Sequence, residues 1–233
     1  MEVVSYGSEN DGVPFVNLVT LPGAGAMAEK SKGGMRGHTD AATFPFRGTF
    51  DPENKRIAPS PDIVFLAACR NPDRVPTVVM PLEDVLGKLS ADQLAALKGP
   101  NIVLNAQRSF QRGTKQILGD EHLLDGAAIL LDCNEGTWVR YTHSQSHLYD
   151  EADKAAGAAK EAFEHACASS AQHLALEPGD LLLVNNRRAL HGRAAVGDSI
   201  GGRGRWLVRS YGLDCTTLRG EQRYESAPYK LFP

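Results

Sequence analysis

The 233-residue sequence contains no long apolar run and no excess of positive charge. No segment approaches the ~20 apolar residues of a membrane span, and the first residues, MEVVSYGSEN, lack the basic start and apolar middle of a secretion signal. The formal net charge of −3 leaves no broad basic surface for nucleic acid or an anionic membrane. We therefore expect a cytoplasmic protein that binds neither nucleic acid nor a membrane.

Cysteine is also scarce. The four cysteines, Cys69, Cys133, Cys167 and Cys215, are widely separated and form no C-x-x-C pair, which argues against a zinc knot or a disulfide framework. No repeat, low-complexity tract or linker divides the chain, and 233 residues suit one domain. The sequence therefore predicts a single domain over residues 1–233 with free thiols.

Short apolar runs bounded by turn residues dominate the sequence. They predict strands over residues 62–69, 75–80, 101–106, 127–132, 137–142, 180–186 and 205–213, with CNEG as the turn of a hairpin. Two helices are predicted, one after Ser90, with Gln93 completing a capping box, and an Ala-rich one over roughly 151–174. Many strands with few peripheral helices predict a mainly β fold, either a barrel or a double-sheet jelly roll.

Two segments rich in Gly, Pro and charge, 21–34 and 47–61, flank the stretch GGMRGHTDAATF, and we expect both to be active-site loops. The stretch contains His38 and Asp40, although chance supplies about one His-x-acid triplet in a chain of this composition. If the backbone here is extended, both side chains project from one face.

A second group lies near the C-terminus, where His191 follows an apolar strand. Two histidines and a carboxylate leave three adjacent positions open on an octahedral ferrous ion, which is the ligand set of non-haem iron oxygenases. In the next strand, Arg205 and Arg209 share one face, about 13 Å apart at ~3.3 Å per residue. An inward arginine is costly unless an anion meets it, and a carboxylate would do so.

These motifs, in this order, resemble the iron(II)/2-oxoglutarate-dependent dioxygenases. The resemblance covers roughly residues 36–213 and rests on HTDAA, SPDIVFLAACRNPDRVPTVVMPLEDVL, LEPGDLLLVNNRRALHGR and RGRWLVRSY. It is strongest to the clavaminate synthase-like branch of the taurine dioxygenase superfamily, which includes arginine and asparagine hydroxylases. The resemblance implies a double-stranded β-helix (jelly roll) with Fe(II) held by the catalytic residues His38, Asp40 and His191.

The resemblance also implies the roles of other residues. Arg205, helped by the hydroxyl of Thr77, would bind the distal carboxylate of the cosubstrate 2-oxoglutarate, and Arg209 would contact a carboxylate of the substrate. O₂ and the keto acid would be consumed, with release of succinate and CO₂. Asp40 stands where a halogenating subgroup has a small residue, which favours oxygenation, and so the sequence predicts hydroxylation of a C–H bond in a free amino acid or similar small carboxylate metabolite.

The substrate itself is less defined. Basic-amino-acid hydroxylases of this branch place acidic residues in the segment that corresponds to 140–151, where this chain has His143 and His147, which favours a neutral or acidic substrate. We expect these histidines, together with Asn17 and the segment 23–34, to line the pocket. Relatives usually carry more chain before the His-x-acid motif, and a homo-oligomer that completes the pocket is a further expectation.

Two alternatives stay open. A desaturase or a ring-forming oxidase of the same family would share hydrogen abstraction and differ in the product. A non-oxidative jelly-roll protein, either a zinc hydrolase or isomerase or a metal-free binding module, could borrow the same two histidines and aspartate. Such a protein would give Arg205 no reason to face inward.

Overall fold

The computed structural model describes residues 1–233, and most of its regular elements are strands. The α-helices are α1 (Ala26–Lys32), α2 (Leu82–Leu86), α3 (Ala91–Leu97), α4 (Arg108–Leu118) and α5 (Lys154–Ser169). The strands are β1 (Glu2–Tyr6), β2 (Val16–Leu18), β3 (Met35–His38), β4 (Ile63–Arg70), β5 (Thr77–Pro81), β6 (Ile102–Asn105), β7 (Leu123–Ala127), β8 (Leu130–Cys133), β9 (Gly136–Val139), β10 (Ser146–Leu148), β11 (Gln172–Leu174), β12 (Leu181–Asn185), β13 (Ala189–Arg193), β14 (Trp206–Leu213), β15 (Arg223–Tyr224) and β16 (Ala227–Leu231). None of the helices combines the length and apolarity that crossing a membrane needs.

Two sheets form the layers of the fold. The larger has the strand order β12-β4-β14-β1-β16-β15, with β2 also paired to β14, and the smaller has the order β11-β5-β13-β3. A three-stranded sheet, β10-β6-β7, and the hairpin β8-β9 complete the β structure. This is the mainly β, double-stranded β-helix architecture with peripheral helices that the sequence predicts.

The core is divided by the four-stranded sheet. One cluster lies between the two layers and includes Leu66, Leu207 and Tyr211. The second lies behind the smaller sheet and includes Leu190 from β13 and Phe163 from α5. Alternation along β13 explains the division, because Leu190 faces the second cluster and His191 therefore faces the space between the layers. The candidate site is thus built on the walls of this interlayer space.

Several local predictions are confirmed. The strands β4, β5, β6, β12 and β14 fall within or beside the predicted runs, and the CNEG turn joins β8 to β9 with Cys133 opposite Gly136. The capping box is formed in both directions between Ser90 and Gln93 at the start of α3. The cap, the turn and the apolar runs are local signals, which explains why the sequence alone was sufficient.

Other boundaries differ from the prediction. The segment 21–34 contains the helix α1, and the helix predicted over 151–174 ends at Ser169, after which β11 joins the smaller sheet. The predicted strand 127–132 is two strands, because β7 ends at Ala127 and β8 begins at Leu130. The helix α4 was not predicted, since its polar sequence RSFQRGTKQIL buries little more than Phe110 and Thr114.

Candidate metal centre

His38, Asp40 and His191 come together between the two layers of the fold. The antiparallel register of β3 and β13 sets His38 directly opposite His191, and their ring centroids are 4.4 Å apart. Asp40 lies two residues beyond the end of β3, with Oδ1 3.7 Å from His38 Nε2 and Oδ2 3.5 Å from His191 Nε2. One ligand atom from each of the three residues lies within 4.8 Å of the other two.

The backbone around Asp40 is fixed by two distant amides. The Asp40 N–H donates to Asn186 Oδ1 at 2.8 Å, and Asn186 Nδ2 donates back to the Asp40 carbonyl at 3.0 Å. The next residue, Ala41, has a left-handed φ of 53°, and its N–H donates to Gln107 Oε1 at 2.8 Å. A left-handed alanine costs on the order of 1 kcal/mol, and these amide contacts hold the chain in the turn that presents the carboxylate.

Both histidines present Nε2 to the Asp40 carboxylate. His38 Nδ1 is 3.1 Å from the Arg36 carbonyl, a contact that fixes Nδ1 as the donor and leaves the Nε2 lone pair available. On β13, the residue after His191 is Gly192, where a Cβ atom would lie 2.2 Å from the Met35 carbonyl oxygen. The glycine therefore permits the close approach of β3 and β13 that brings the two imidazoles together.

The electrostatics of the cluster suit metal ligands. Burial, together with the neighbouring His191, lowers the pKa of His38 to about 3, so this imidazole is neutral and can donate a lone pair. Burial alone would raise the pKa of Asp40, but the Arg209 guanidinium and the two imidazoles hold that pKa well below its usual range. The site therefore presents an ionised carboxylate beside a neutral imidazole.

The residues fit a divalent metal ion. Asp40 Oδ2 and His191 Nδ1 are buried and have no hydrogen-bond partner, and the separations of 3.5 and 3.7 Å are too long for good hydrogen bonds. Ligand atoms at such separations can surround an ion with bond lengths of about 2.1 Å after a small adjustment. Two nitrogens and one oxygen form the donor set of mononuclear ferrous oxygenase sites.

Arg205 lies just before β14 and points toward the smaller sheet. Its side chain is buried, and Nη2 donates to Thr77 Oγ1 at 2.7 Å, whereas Nε has no partner. The guanidinium has no carboxylate within ion-pair distance, and burial together with the nearby Arg193 lowers the pKa of Arg205 to about 10. A buried guanidinium without a carboxylate partner can bind an anionic ligand, which would compensate its charge.

Arg209 is arranged differently. Its Nη2 lies 2.6 Å from Glu9 Oε1, its Nη1 lies 3.6 Å from Asp40 Oδ2, and its Nε has no partner. Tyr211 Oη donates to the other oxygen of Glu9 at 3.0 Å. Glu9 is thus a buried member of the site that the sequence did not reveal, because it lies in an irregular N-terminal turn with no pattern to mark it.

The other predicted pocket residues do not all lie near the metal-type cluster. His143 approaches β3, where its Nδ1 lies 2.8 Å from the Gly37 carbonyl, one residue from His38. His147 is exposed on β10 and is not brought to the cluster. Asn17 is opposite Val208 in register and accepts a hydrogen bond from Trp206 at 2.8 Å, on the face of β14 that points away from Arg209. The structure does not bring Asn17 to the site.

Part of the chain matches a known family. Residues 127–211 match the model described as "Taurine catabolism dioxygenase TauD, TfdA family". Over 214 residues the chain is 26% identical to an L-lysine 3-hydroxylase of Catenulispora acidiphila, and the match covers 90% of this chain and 54% of that protein. The chain therefore spans about half the length of this relative.

Solved structures share the fold. One is an asparagine oxygenase in complex with Fe(II), 2S,3S-3-hydroxyasparagine and succinate, with a TM-score of 0.79, 24% identity, and coverage of 100% of this chain and 66% of the other. Another is the non-heme iron oxygenase OrfP in complex with Fe, succinate and (3S)-hydroxy-L-Arg, with a TM-score of 0.77, 24% identity, and coverage of 99% and 68%. The resemblance predicted from the motifs is confirmed by the match of residues 127–211 to the TauD/TfdA family model and by the fold that the chain shares with the solved structures.

Proposed function

We propose that this protein is an Fe(II)- and 2-oxoglutarate-dependent oxygenase that hydroxylates an unactivated C–H bond of a free amino acid or a similar small carboxylate metabolite. One juxtaposition carries the proposal: three metal-type ligands within 4.8 Å of one another share the interlayer space with a buried guanidinium that has no carboxylate partner. A zinc hydrolase could use the same three ligands, but it would leave Arg205 without an anion to bind.

The roles of the residues follow from their contacts. His38, Asp40 and His191 would hold the iron. Arg205, oriented by the Thr77 hydroxyl, would bind the distal carboxylate of 2-oxoglutarate through a charge-assisted pair. When bound together, Fe(II), 2-oxoglutarate and O₂ supply the oxidation of a C–H bond, with conversion of the keto acid to succinate and CO₂.

Arg209 and Glu9 support an amino acid as the substrate. The two opposite charges are buried side by side next to Asp40, and Arg209 Nε remains free to bind a carboxylate. A free amino acid carries a carboxylate and an ammonium group on one carbon, which matches a neighbouring cation and anion. The similar proteins are a lysine 3-hydroxylase and oxygenases in complex with hydroxyasparagine and hydroxyarginine, which agrees with an amino acid as the substrate.

Succinate release tests the proposal. We expect the protein, supplied with Fe(II), 2-oxoglutarate and O₂, to release succinate in response to at least one member of a panel of amino acids and small acids. The product should be heavier than its substrate by one oxygen. A product lighter by two hydrogens would instead identify the desaturase or ring-forming oxidase of the same family.

A matched pair of variants makes the result specific to the site. Asp40→Ala should abolish succinate release, whereas Asp73→Ala, which removes an exposed carboxylate from a loop, should leave it unchanged. An anaerobic titration in which the wild-type protein binds neither Fe(II) nor the keto acid would refute the proposal independently of the choice of substrate.

Some sequence predictions are not carried further by these observations. The single-domain organisation, the cytoplasmic location, self-association of the chain and the absence of nucleic-acid or membrane partners stay predictions. Substrate contacts by His143 also stay a prediction, supported by its position beside Gly37.

A further inference from the structure

A second guanidinium, that of Arg193, lies beside the proposed cosubstrate subsite. Arg193 follows His191 by two residues on β13 and is directly opposite Thr77 in the antiparallel register of β13 and β5. The side chains of directly opposed residues project from the same face of a sheet, with Cβ atoms about 5 Å apart. On this face the Thr77 hydroxyl accepts from Arg205. Two arginines therefore flank one hydroxyl, and neither has a carboxylate partner.

Arg193 uses its Nη2 to hold the end of α1. This nitrogen donates to the carbonyls of Lys30 and Ser31 at 2.8 and 2.7 Å. Both carbonyls belong to the last turn of the helix, where the backbone carbonyls have no partner within the helix and a basic side chain can bind them. The C-terminal end of α1 is therefore held within the reach of one arginine side chain that starts beside Thr77.

The helix α1 depends on such contacts. It has seven residues and buries only Ala28, so it is too short to be stable by itself. Two other contacts hold it: the Lys32 carbonyl accepts from the Val196 N–H at 2.8 Å, and Lys32 Nζ pairs with Asp198 at 3.3 Å. Both of these lead to the segment that follows β13. The contact from Arg193 differs because its side chain starts on the face of β13 that carries the metal-type cluster.

The charge of Arg193 links this contact to the anion expected at Arg205. The nearby Arg193 is one cause, after burial, of the lowered pKa of Arg205. In the empty protein the two like charges repel, which favours conformations in which Arg193 turns away and releases α1. A carboxylate bound by Arg205 would compensate both guanidiniums and favour the position in which Arg193 holds the helix.

We propose that Arg193 is a positioning residue that holds α1 as one wall of the cosubstrate subsite, and that 2-oxoglutarate strengthens this hold when it pairs with Arg205. This inference rests on the proposed oxygenase function. Coupling between two binding events is reciprocal, so the held position of α1 also raises the affinity for the keto acid.

Hydrogen–deuterium exchange of α1 tests the inference. With Fe(II) present and O₂ excluded, we expect 2-oxoglutarate to slow exchange of the amides of residues 29–33 at least about fivefold in the wild-type protein, the lower end of typical coupling. Arg193→Met should exchange faster and lose the slowing by the keto acid. Arg193→Lys should retain part of it, because an ammonium group can donate to the same carbonyls.

Two variants serve as matched controls. Arg188→Met removes another hydrogen bond from an arginine to a backbone carbonyl, that of Glu135 at 2.9 Å, in an exposed turn. Lys32→Met removes a contact of the same helix that does not start beside Thr77. Both should keep the slowing by the keto acid and the KM for 2-oxoglutarate, whereas Arg193→Met should raise this KM about tenfold.

Two results would overturn the inference. Exchange of α1 in the wild-type protein could be the same with and without bound keto acid, a result that does not depend on whether Arg193→Met folds. Arg193→Met could also show the full slowing by the keto acid. In either case the oxygenase assignment stands and Arg193 is a structural contact only. If the wild-type protein binds neither Fe(II) nor the keto acid, the proposed function fails, and this inference fails with it.

Discussion

Arg205 and Arg209 are the same side chain in opposite surroundings. Arg205, just before the strand, has a hydroxyl as its polar partner and no carboxylate, whereas Arg209, inside the strand, contacts Glu9 and approaches Asp40. Burial opposes the charge of both guanidiniums. At Arg205 nothing compensates, and the pKa falls to about 10, while at Arg209 the surrounding anions more than compensate and raise the pKa.

The difference separates a guanidinium whose charge is already compensated by the protein, Arg209, from one whose anion would have to come from a ligand, Arg205. A buried cation that lacks an anion destabilises the empty protein, and such a residue is retained where a bound anion completes it. A buried cation that already has its anions stabilises and orients its surroundings before any ligand arrives. The contrast therefore predicts opposite effects on stability and binding when Arg205 or the partner of Arg209 is altered.

The largest effect is expected at Arg205, which has no carboxylate partner. Arg205→Met should weaken 2-oxoglutarate binding by about 100-fold or more, because a charge-assisted pair of about 3 kcal/mol is lost. The same substitution should leave the free energy of unfolding of the unliganded protein unchanged or higher, since it replaces an uncompensated buried charge with an apolar side chain. Anaerobic keto-acid titration and urea denaturation measure the two quantities. A variant that is strongly destabilised and still binds the keto acid would contradict the contrast.

The pair formed by Arg209 and Glu9 should show the opposite pattern, a loss of stability with little change in binding. Glu9→Gln leaves Arg209 with a neutral partner and should lower the free energy of unfolding by about 3 kcal/mol, the lower end of the range for breaking a buried ion pair. Binding of 2-oxoglutarate should change little, because Glu9 does not contact Arg205. Glu221→Gln, which removes an exposed carboxylate 3.8 Å from Arg219, is the matched control and should have no measurable effect on stability. Equal urea midpoints for the two variants would show that Arg209 does not depend on Glu9.

The sequence was sufficient to predict the two arginines but not the anionic partner of Arg209. Alternation along β14 is a local rule, and it placed Arg205 and Arg209 on one face without knowledge of the fold. The partner Glu9 is 200 positions from Arg209, in a turn with no periodicity, and no local pattern links the two. The same limit applies to α1, a short helix between glycines whose end is fixed by the tertiary contact from Arg193.

The placement of Asn17 away from the metal-type cluster has a related physical origin. We expected Asn17 to line the pocket, but the face that a strand residue takes depends on the register of the strand, and a shift of one residue exchanges the two faces. In the structure Asn17 lies opposite Val208, so it shares the outer face with Trp206. The metal-type cluster was predictable because His38, Asp40 and His191 each follow from a short motif in a recognisable order.

The smallest predicted effect refines the contrast at Arg205 itself. Thr77→Val keeps the shape of the side chain and removes the hydroxyl that accepts from Arg205 Nη2. We expect 2-oxoglutarate affinity to fall about fivefold, which corresponds to about 1 kcal/mol for one hydrogen bond that orients the guanidinium. Thr77→Ser should restore the affinity, because it returns the hydroxyl without the methyl group. If Thr77→Ser bound as weakly as Thr77→Val in the same anaerobic titration, the methyl group and its packing, and not the hydroxyl, would be what positions Arg205 for the keto acid.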